Sequence, residues 1–315
     1  MLTVKQLQRH NDSITASKIA AILNISPWGS AYSIYREMKG EVQRVEQTSM
    51  RTLMGNYMEE AIHSYCTNEL LWTLAKVREE GICHKDYPYI WCLPDRFKLE
   101  HNSGGAIPEM VVEFKNVDSM FYRDWKDNGV PDHYKAQVHF QSLVSGLPGV
   151  LVACFGGNTI ETYDFPRNEE IEGFLLQTAI DFWQRLLIGD PPPIDGSSHT
   201  AEALSRMFPS SRAGLVEGTD DTLNLLKSLV DIGKQIAPLE LKQEEIKNTL
   251  KAQIGSFEGL MWKNGSKVTW KLSKDSKVLD NDAVLEKHPD VYKECLKDKP
   301  GSRRFLYSLK GAKDE

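Results

Sequence analysis

The sequence predicts a layered α/β domain, a short mixed β-sheet with helices on either side, followed by a smaller unit of helix and β-hairpin. Three features predict it: helical spacing through the first quarter, strand texture from Gly81, and helices that return on both sides of two further strand-like runs. Thr15 reads as the cap of a helix carrying Ile19, Ile22 and Leu23, which Ser26-Pro27 ends. Helices from Ala31 to Lys39 and from Thr48 to Leu74 follow, the latter with Leu53, Met54, Tyr57, Met58, Ala61 and Ile62 inward. His84 to Leu93, Phe97 to Glu100 and Met110 to Lys115 read as a strand meander with a turn at Asn102-Ser103-Gly104-Gly105. A helix from Asp132 to Ser145 precedes strands Val150 to Phe155 and Thr159 to Phe165, and a helix from Asn168 to Leu187 closes the domain.

The breaker-rich stretch Gly189 to Ser198 places a domain boundary, giving 1–190 as the main domain, 191–215 as a linker and 216–315 as the extension. In the extension, Leu223, Leu226, Leu229 and Val230 begin a helical pattern that resumes beyond Pro238, as a helical hairpin or short coiled coil would. Trp262 to Trp270, with Asn264-Gly265 at its centre, reads as a β-hairpin.

At 315 residues and 41% hydrophobic, the chain can bury a substantial core. No apolar run reaches the roughly 20 residues that span a bilayer, and the first residues lack a secretory pattern, so a cytoplasmic protein without membrane contact is expected. The five cysteines are scattered, without a C-x-x-C pair, and are expected to be buried reduced thiols rather than disulfides, a zinc site or an iron-sulfur set. The net charge of −6 argues against a surface that coats nucleic acid throughout, although residues 260–313 carry 13 basic against 7 acidic side chains. Such a basic end is either a solvated surface or a DNA contact.

Chemistry concentrates on Glu113-Phe114-Lys115. Glu-x-Lys also occurs at 37–39, 240–242 and 245–247, but those copies lie in helical stretches. Only in a strand does a period of two put Glu113 and Lys115 on one face while Val112 and Phe114 enter the core. Asp95, after Pro94, ends the preceding strand, and a hairpin would set it beside Glu113. Asp95, Glu113 and the Phe114 carbonyl then form a hard-oxygen set of the kind magnesium takes, leaving positions for water and a phosphate. Ions held there would activate a water for in-line attack on a phosphodiester, and the Lys115 ammonium would offset the developing charge. The competing reading is a turn aspartate and a surface ion pair. Two further groups bear on the choice. Gly55-x-x-x-Glu59 shares a helix face, where glycine admits close approach and Glu59 could reach a second metal or its water. Tyr134, Gln137 and Gln141 make a polar face on an otherwise apolar helix, with Gln137 able to orient a water or a ligand carboxylate.

Taken in order, Thr15-Ala16-Ser17-Lys18-Ile19, Gly55…Glu59, Pro94-Asp95, Glu113-Phe114-Lys115 and Tyr134-Lys135-Ala136-Gln137 resemble the YqaJ-like viral recombinase family, the bacteriophage lambda exonuclease family of the PD-(D/E)xK nuclease superfamily. The likeness runs over about residues 10–190. It implies a restriction-endonuclease-like fold and a magnesium-dependent exonuclease, with manganese able to substitute, that degrades the 5′ strand of double-stranded DNA ends to mononucleotides for recombination. It also implies a ring-shaped homotrimer, a phage or prophage origin and a single-strand annealing protein as partner. By the same resemblance Asp95, Glu113 and Phe114 are metal ligands, Lys115 the catalytic lysine, Glu59 an outer carboxylate and Gln137 its support. Ser17, Lys18, Arg123 and Tyr134 would meet DNA or its 5′-phosphate. Lys18 stands where the family can place an arginine, Arg123 is displaced by two residues from the expected spacing, and Leu93 replaces a hydroxyl residue. The alternatives are an endonuclease of the same superfamily and a non-catalytic DNA-binding or assembly protein on a nuclease fold.

Overall fold

The computed structural model describes residues 3–42, 50–299 and 301–310, in two units, Met1–Phe208 and Pro209–Glu315. The first unit contains α1 (Val4–Asn11), β1 (Ile14–Thr15), α2 (Ala16–Ile22), α3 (Ala31–Met38), α4 (Met50–Asn68), β2 (Thr73–Ala75), β3 (Ile82–Cys83), β4 (Ile90–Cys92), β5 (Arg96–Asn102) and β6 (Gly105–Val117). It continues through α5 (Tyr122–Asn128), α6 (Asp132–Ser145), β7 (Gly149–Phe155), β8 (Thr159–Phe165), α7 (Glu169–Ile188) and α8 (Ser198–Met207).

The main sheet has the order β2-β5-β6-β7-β8; β6 and β7 run parallel and the other neighbours antiparallel. β7 explains the layering. Every residue of it is buried, so its side chains enter an apolar layer on each face, as in a strand covered from both sides. Val150, Val152 and Cys154 join Val112 and Phe114 against Ile62 and Cys66 of α4. Leu151, Ala153 and Phe155 face Val138 of α6 and Trp125 of α5. Outside α6, Ala136, Phe140 and Val144 meet α2, α3 and α7. The mixed sheet flanked by helices expected from the sequence is therefore present. A second sheet of order β1-β4-β3 lies beside α2. Among the described residues no helix is long and apolar enough to cross a membrane.

The structure corrects several details. The helix expected from Thr48 ends at Asn68, before Leu71 takes φ +56°, and Thr48 itself lies outside the described residues. The strand expected from Met110 begins at Gly105, and α1 and α5 were not foreseen. Residues 191–208 are not linker. The breakers end α7, but α8 returns to the first unit, with Thr200 at 1% exposure and its Oγ1 2.8 Å from Ser30 Oγ. Of the cysteines, Cys83 and Cys295 are exposed rather than buried, and all five are free.

The second unit holds α9 (Asp220–Ile254), β9 (Gly259–Met261), β10 (Lys267–Thr269), α10 (Asn281–Lys287) and α11 (Pro289–Glu294). The expected helical hairpin is instead one helix of 35 residues running through Pro238. A proline inside a helix removes one N–H and frees the carbonyl four residues back. Here that carbonyl belongs to exposed Lys234, where water can take the bond. Beyond the proline, Glu244 pairs with both Lys247 and Lys251 on the exposed surface. The β-hairpin forms as expected, with Gly265 at φ +84° and its N–H donating to the Trp262 carbonyl.

Close packing of β7 on α6 has a test. A Cβ added at Gly149 would lie 2.3 Å from Val138 Cγ1 and 3.2 Å from Ser142 Oγ, both on buried residues of α6. Gly149→Ala is expected to cost about 1–3 kcal/mol by overpacking, read as a lower urea midpoint with an unchanged slope.

Candidate active site at the parting of β5 and β6

The site is set by a register. β5 and β6 pair antiparallel with Arg96 opposite Val112, so Asp95, one residue before β5, falls opposite Glu113 where the two strands part. Beyond that point β6 keeps β7 on one edge and has no strand on the other. Asp95 fills the gap: its Oδ2 accepts the Phe114 N–H at 2.7 Å. Both in-plane groups of a strand residue point to the same edge, so the Phe114 carbonyl faces the Asp95 side too.

Glu113 and Lys115 project from the opposite face to Val112 and Phe114, as the strand period predicts. That face is not solvent. Glu113 is 5% exposed, and its oxygens are held by three side-chain donors: Lys115 Nζ at 2.6 Å and Gln137 Nε2 at 2.5 Å on Oε1, and Gln141 Nε2 at 2.6 Å on Oε2. A surface ion pair is excluded by this burial. Tyr134 completes the helical face, its ring centroid 5.4 Å from Lys115 Nζ. The polar stripe read on α6 thus serves Glu113. Gln141, noted in that stripe without a role, has its own Oε1 buried and unpartnered.

Burial pushes the Asp95 carboxyl well above the usual carboxylate range; Glu113 and Glu59 add to this, while Lys115 and the Phe114 N–H pull it down. Burial alone would lower the Lys115 ammonium, yet the adjacent Glu113 and Asp95 charges raise it overall, so it stays protonated. Glu59, partly buried on α4, is raised by burial, with Glu113 pushing it further up and Arg96 and Lys115 pulling it down.

Two groups that the sequence reading missed anchor the arrangement. Arg96 donates to Glu60 Oε1 at 2.8 Å and to the Asp95 carbonyl at 2.7 Å, tying α4 to the residue that carries the carboxylate. The pair spans 36 positions, and no local pattern announces it.

The other expected contacts divide. Ser17 is exposed and lies with Tyr134, Gln137 and Lys115 on one pocket of about 260 Å³. Lys18 does not serve as a phosphate ligand: it is 5% exposed, and its Nζ donates to the carbonyls of His10, Asn11 and Ser13 at 2.5, 3.1 and 2.9 Å. The first two of these carbonyls end α1, where a helix leaves acceptors unpaired and favours a cation, and the third follows just beyond its cap. Arg123 is exposed on α5 and lines neither this pocket nor the cavity beside it. A Cβ at Gly55 would meet no atom of the described residues within 4 Å, so no described backbone approaches that glycine closely. Among the described residues no three His, Cys, Asp or Glu side chains form a group that could hold a metal ion.

Residues 5–148 match the model of the YqaJ-like viral recombinase domain. The YqaJ-like stretch contains every group from Ser17 to Gln141 that builds the site, and the family is the one the motifs resemble. Over 300 residues the chain is 23% identical to the uncharacterized protein YqaJ of Bacillus subtilis (strain 168), covering 93% of this chain and 90% of that one. Among solved structures it is similar to an alkaline exonuclease, LHK-Exo, of Laribacter hongkongensis, with a TM-score of 0.49 and 14% identity over 60% of this chain and 94% of that one. The complex of LHK-Exo with dAMP gives a TM-score of 0.47 and 15% identity, over 58% and 91%.

The donor set suits a magnesium ion, which takes one or two carboxylates and keeps several waters. Two carboxylates lie close enough that Glu113 helps hold Asp95 above its ordinary range, and a strand carbonyl faces the Asp95 edge. Without a cation, ionised Asp95 weakens the fold. A carboxyl whose pKa is raised by folding contributes stability below its unfolded pKa, and that contribution fades as pH rises through the raised value. Asp95→Asn, which keeps an acceptor for Phe114, is therefore expected to exceed the wild type in urea midpoint at pH 8 in EDTA. The gap should close toward pH 4; a wild type that is the more stable at pH 8 would refute this sign.

Proposed function

We propose that the YqaJ-like domain is a magnesium-dependent DNA nuclease, and specifically an exonuclease that digests the 5′ strand of double-stranded DNA ends. The observation that carries the reading is the pairing of Asp95 with Glu113 at the parted strands, with Lys115 hydrogen-bonded to Glu113. Asp95, Glu113 and the Phe114 carbonyl would hold the ion, and Glu59 would reach it through water. Bound there, the ion would polarise the scissile phosphate and lower the pKa of the attacking water. Gln137 and Gln141 keep the Glu113 carboxylate oriented, much as outer hydrogen bonds orient metal ligands elsewhere. Lys115, protonated and partly open to the pocket, stands to meet the charge that grows on the phosphate oxygens. The face of Tyr134 beside it favours the ammonium form.

Polarity, release of mononucleotides, a 3′ single strand handed to an annealing protein and a ring trimer follow from the family resemblance and are part of the same proposal. So are manganese as a substitute, a cytoplasmic location and a phage origin. Cleavage of closed circles would point to an endonuclease instead.

Three outcomes are expected. With Mg²⁺, linear duplex carrying a 5′-phosphate should release mononucleotides while covalently closed circles survive. Lys115→Ala should lose at least about a hundredfold in rate, on the order of 3 kcal/mol. Gln141→Leu should fold yet need roughly ten- to a hundredfold more Mg²⁺ for half-maximal cleavage. An unchanged Mg²⁺ requirement would remove Gln141 from the mechanism.

A further inference from the structure

Between α2 and α3 the chain makes a short loop that carries Trp28, and this side chain is 66% exposed. The loop is fastened along its length. Asn24, at φ +57°, accepts the Ala31 N–H through its side chain at 2.8 Å. Ser26 Oγ accepts the Trp28 N–H at 3.1 Å, and the Pro27 carbonyl accepts from His199 of α8 at 2.8 Å. A Cβ on Gly29 would stand 3.1 Å from the Cβ of Ala21, so the loop lies close on α2. Large exposed aromatics on floppy loops lose order in solution; this one is held on a backbone with little freedom to move.

The ring is oriented as well. It makes a T-shaped contact with His133 at 5.0 Å and a tilted one with Tyr134 at 5.9 Å. Burial, and then the nearby Lys115 charge, lower the His133 pKa, which keeps this neighbour neutral near pH 7; its Nε2 is buried without a partner. Trp28 lines the pocket that contains Lys115 and Gln137, and also a second cavity of about 490 Å³ lined by His10, His199 and Arg206. With Ser17 and Ser26 it belongs to the wall that the two share. Lys115 Nζ lies 5.4 Å from the Tyr134 ring, and the indole lies 5.9 Å from that same ring, so Tyr134 is a shared neighbour of the amine and the indole.

We infer that Trp28 is the platform on which a nucleobase of the cleaved strand stacks, setting the position of the phosphate that reaches Lys115. The inference rests on the nuclease reading. An aromatic face suits any base, because every base has a π-face, and such stacking is worth about 1–3 kcal/mol per base. The indole itself offers an exposed flat apolar face, which fits a base better than a second phosphate.

The test uses the full chain with Trp28→Ala and Trp28→Phe. On linear duplex with Mg²⁺, Trp28→Ala is expected to raise KM about tenfold, and Trp28→Phe to restore most of the loss. On duplex whose two terminal 5′ nucleotides are abasic, wild type and Trp28→Ala should have the same KM. Equal KM on intact DNA, or equal weakening on intact and abasic ends, would overturn the platform. If the wild type cleaves no DNA, the nuclease reading fails on its own account. In that case fluorescence without metal still decides: a short oligonucleotide should quench the wild type and not Trp28→Phe, and identical quenching overturns the inference.

Discussion

Glu113 sets its side chain in the interior, between the main sheet and α6, and a carboxylate taken out of water must be compensated by donors or by a counter-charge. Here Lys115 comes from the same strand, two residues on, and the two glutamines come from α6, four residues apart and hence on one face. Much else depends on keeping those partners in place. α6 has to lie directly over β6, which it does because its other side fills the layer with α2 and α7 and because Gly149 lets β7 approach it. The apolar core and the polar cluster are therefore two sides of one helix, and neither can shift without the other.

Asp95 is subject to a different constraint. Where β5 leaves β6, the Phe114 N–H loses its strand partner, and a buried backbone donor left alone costs about as much as a lost hydrogen bond. The Asp95 carboxylate takes that bond. The same act brings a second negative group to the edge that the Phe114 carbonyl faces. A backbone requirement and a metal-ligand geometry thus coincide at one residue. Arg96 steadies the position from the α4 side, so the carboxylate hangs from a backbone fixed on two elements.

How much of this was legible depends on how local the cause was. Alternation at residues 111–115 and a turn at 102–105 bring Asp95 near Glu113, but the register of the turn alone would set Asp95 opposite Val112; an irregularity between Lys98 and Leu99, which no sequence pattern announced, supplies the one-residue shift. The stripe of Tyr134, Gln137 and Gln141 was visible as helical spacing, although what it faced was not. Lys18 misled because sequence order cannot tell a lysine aimed at solvent from one folded under a helix end; its partners are carbonyls, which every residue has. Pro238 misled because proline is normally a helix breaker, and the price it exacts depends on whether water reaches the freed carbonyl. The Arg96–Glu60 bond was beyond reach, since it joins residues with no shared pattern.

The misplaced domain boundary has a consequence for the site itself. Gly189 to Ser197 stop α7, and composition alone makes the next residues look like a tether. In fact α8 returns to place Thr200 against Ser30 and His199 against the Pro27 carbonyl, on either side of Trp28. A residue class that reads as spacer holds the loop at the mouth of the pocket. Ordering a large exposed side chain costs conformational entropy that must be offset somewhere, and contacts of the fold's interior cannot do so for a side chain that is mostly in water. The ordering is instead distributed over the backbone bonds of the loop and the rings of His133 and Tyr134. That arrangement leaves the indole ready before any ligand arrives, so a base binding there would not have to order it.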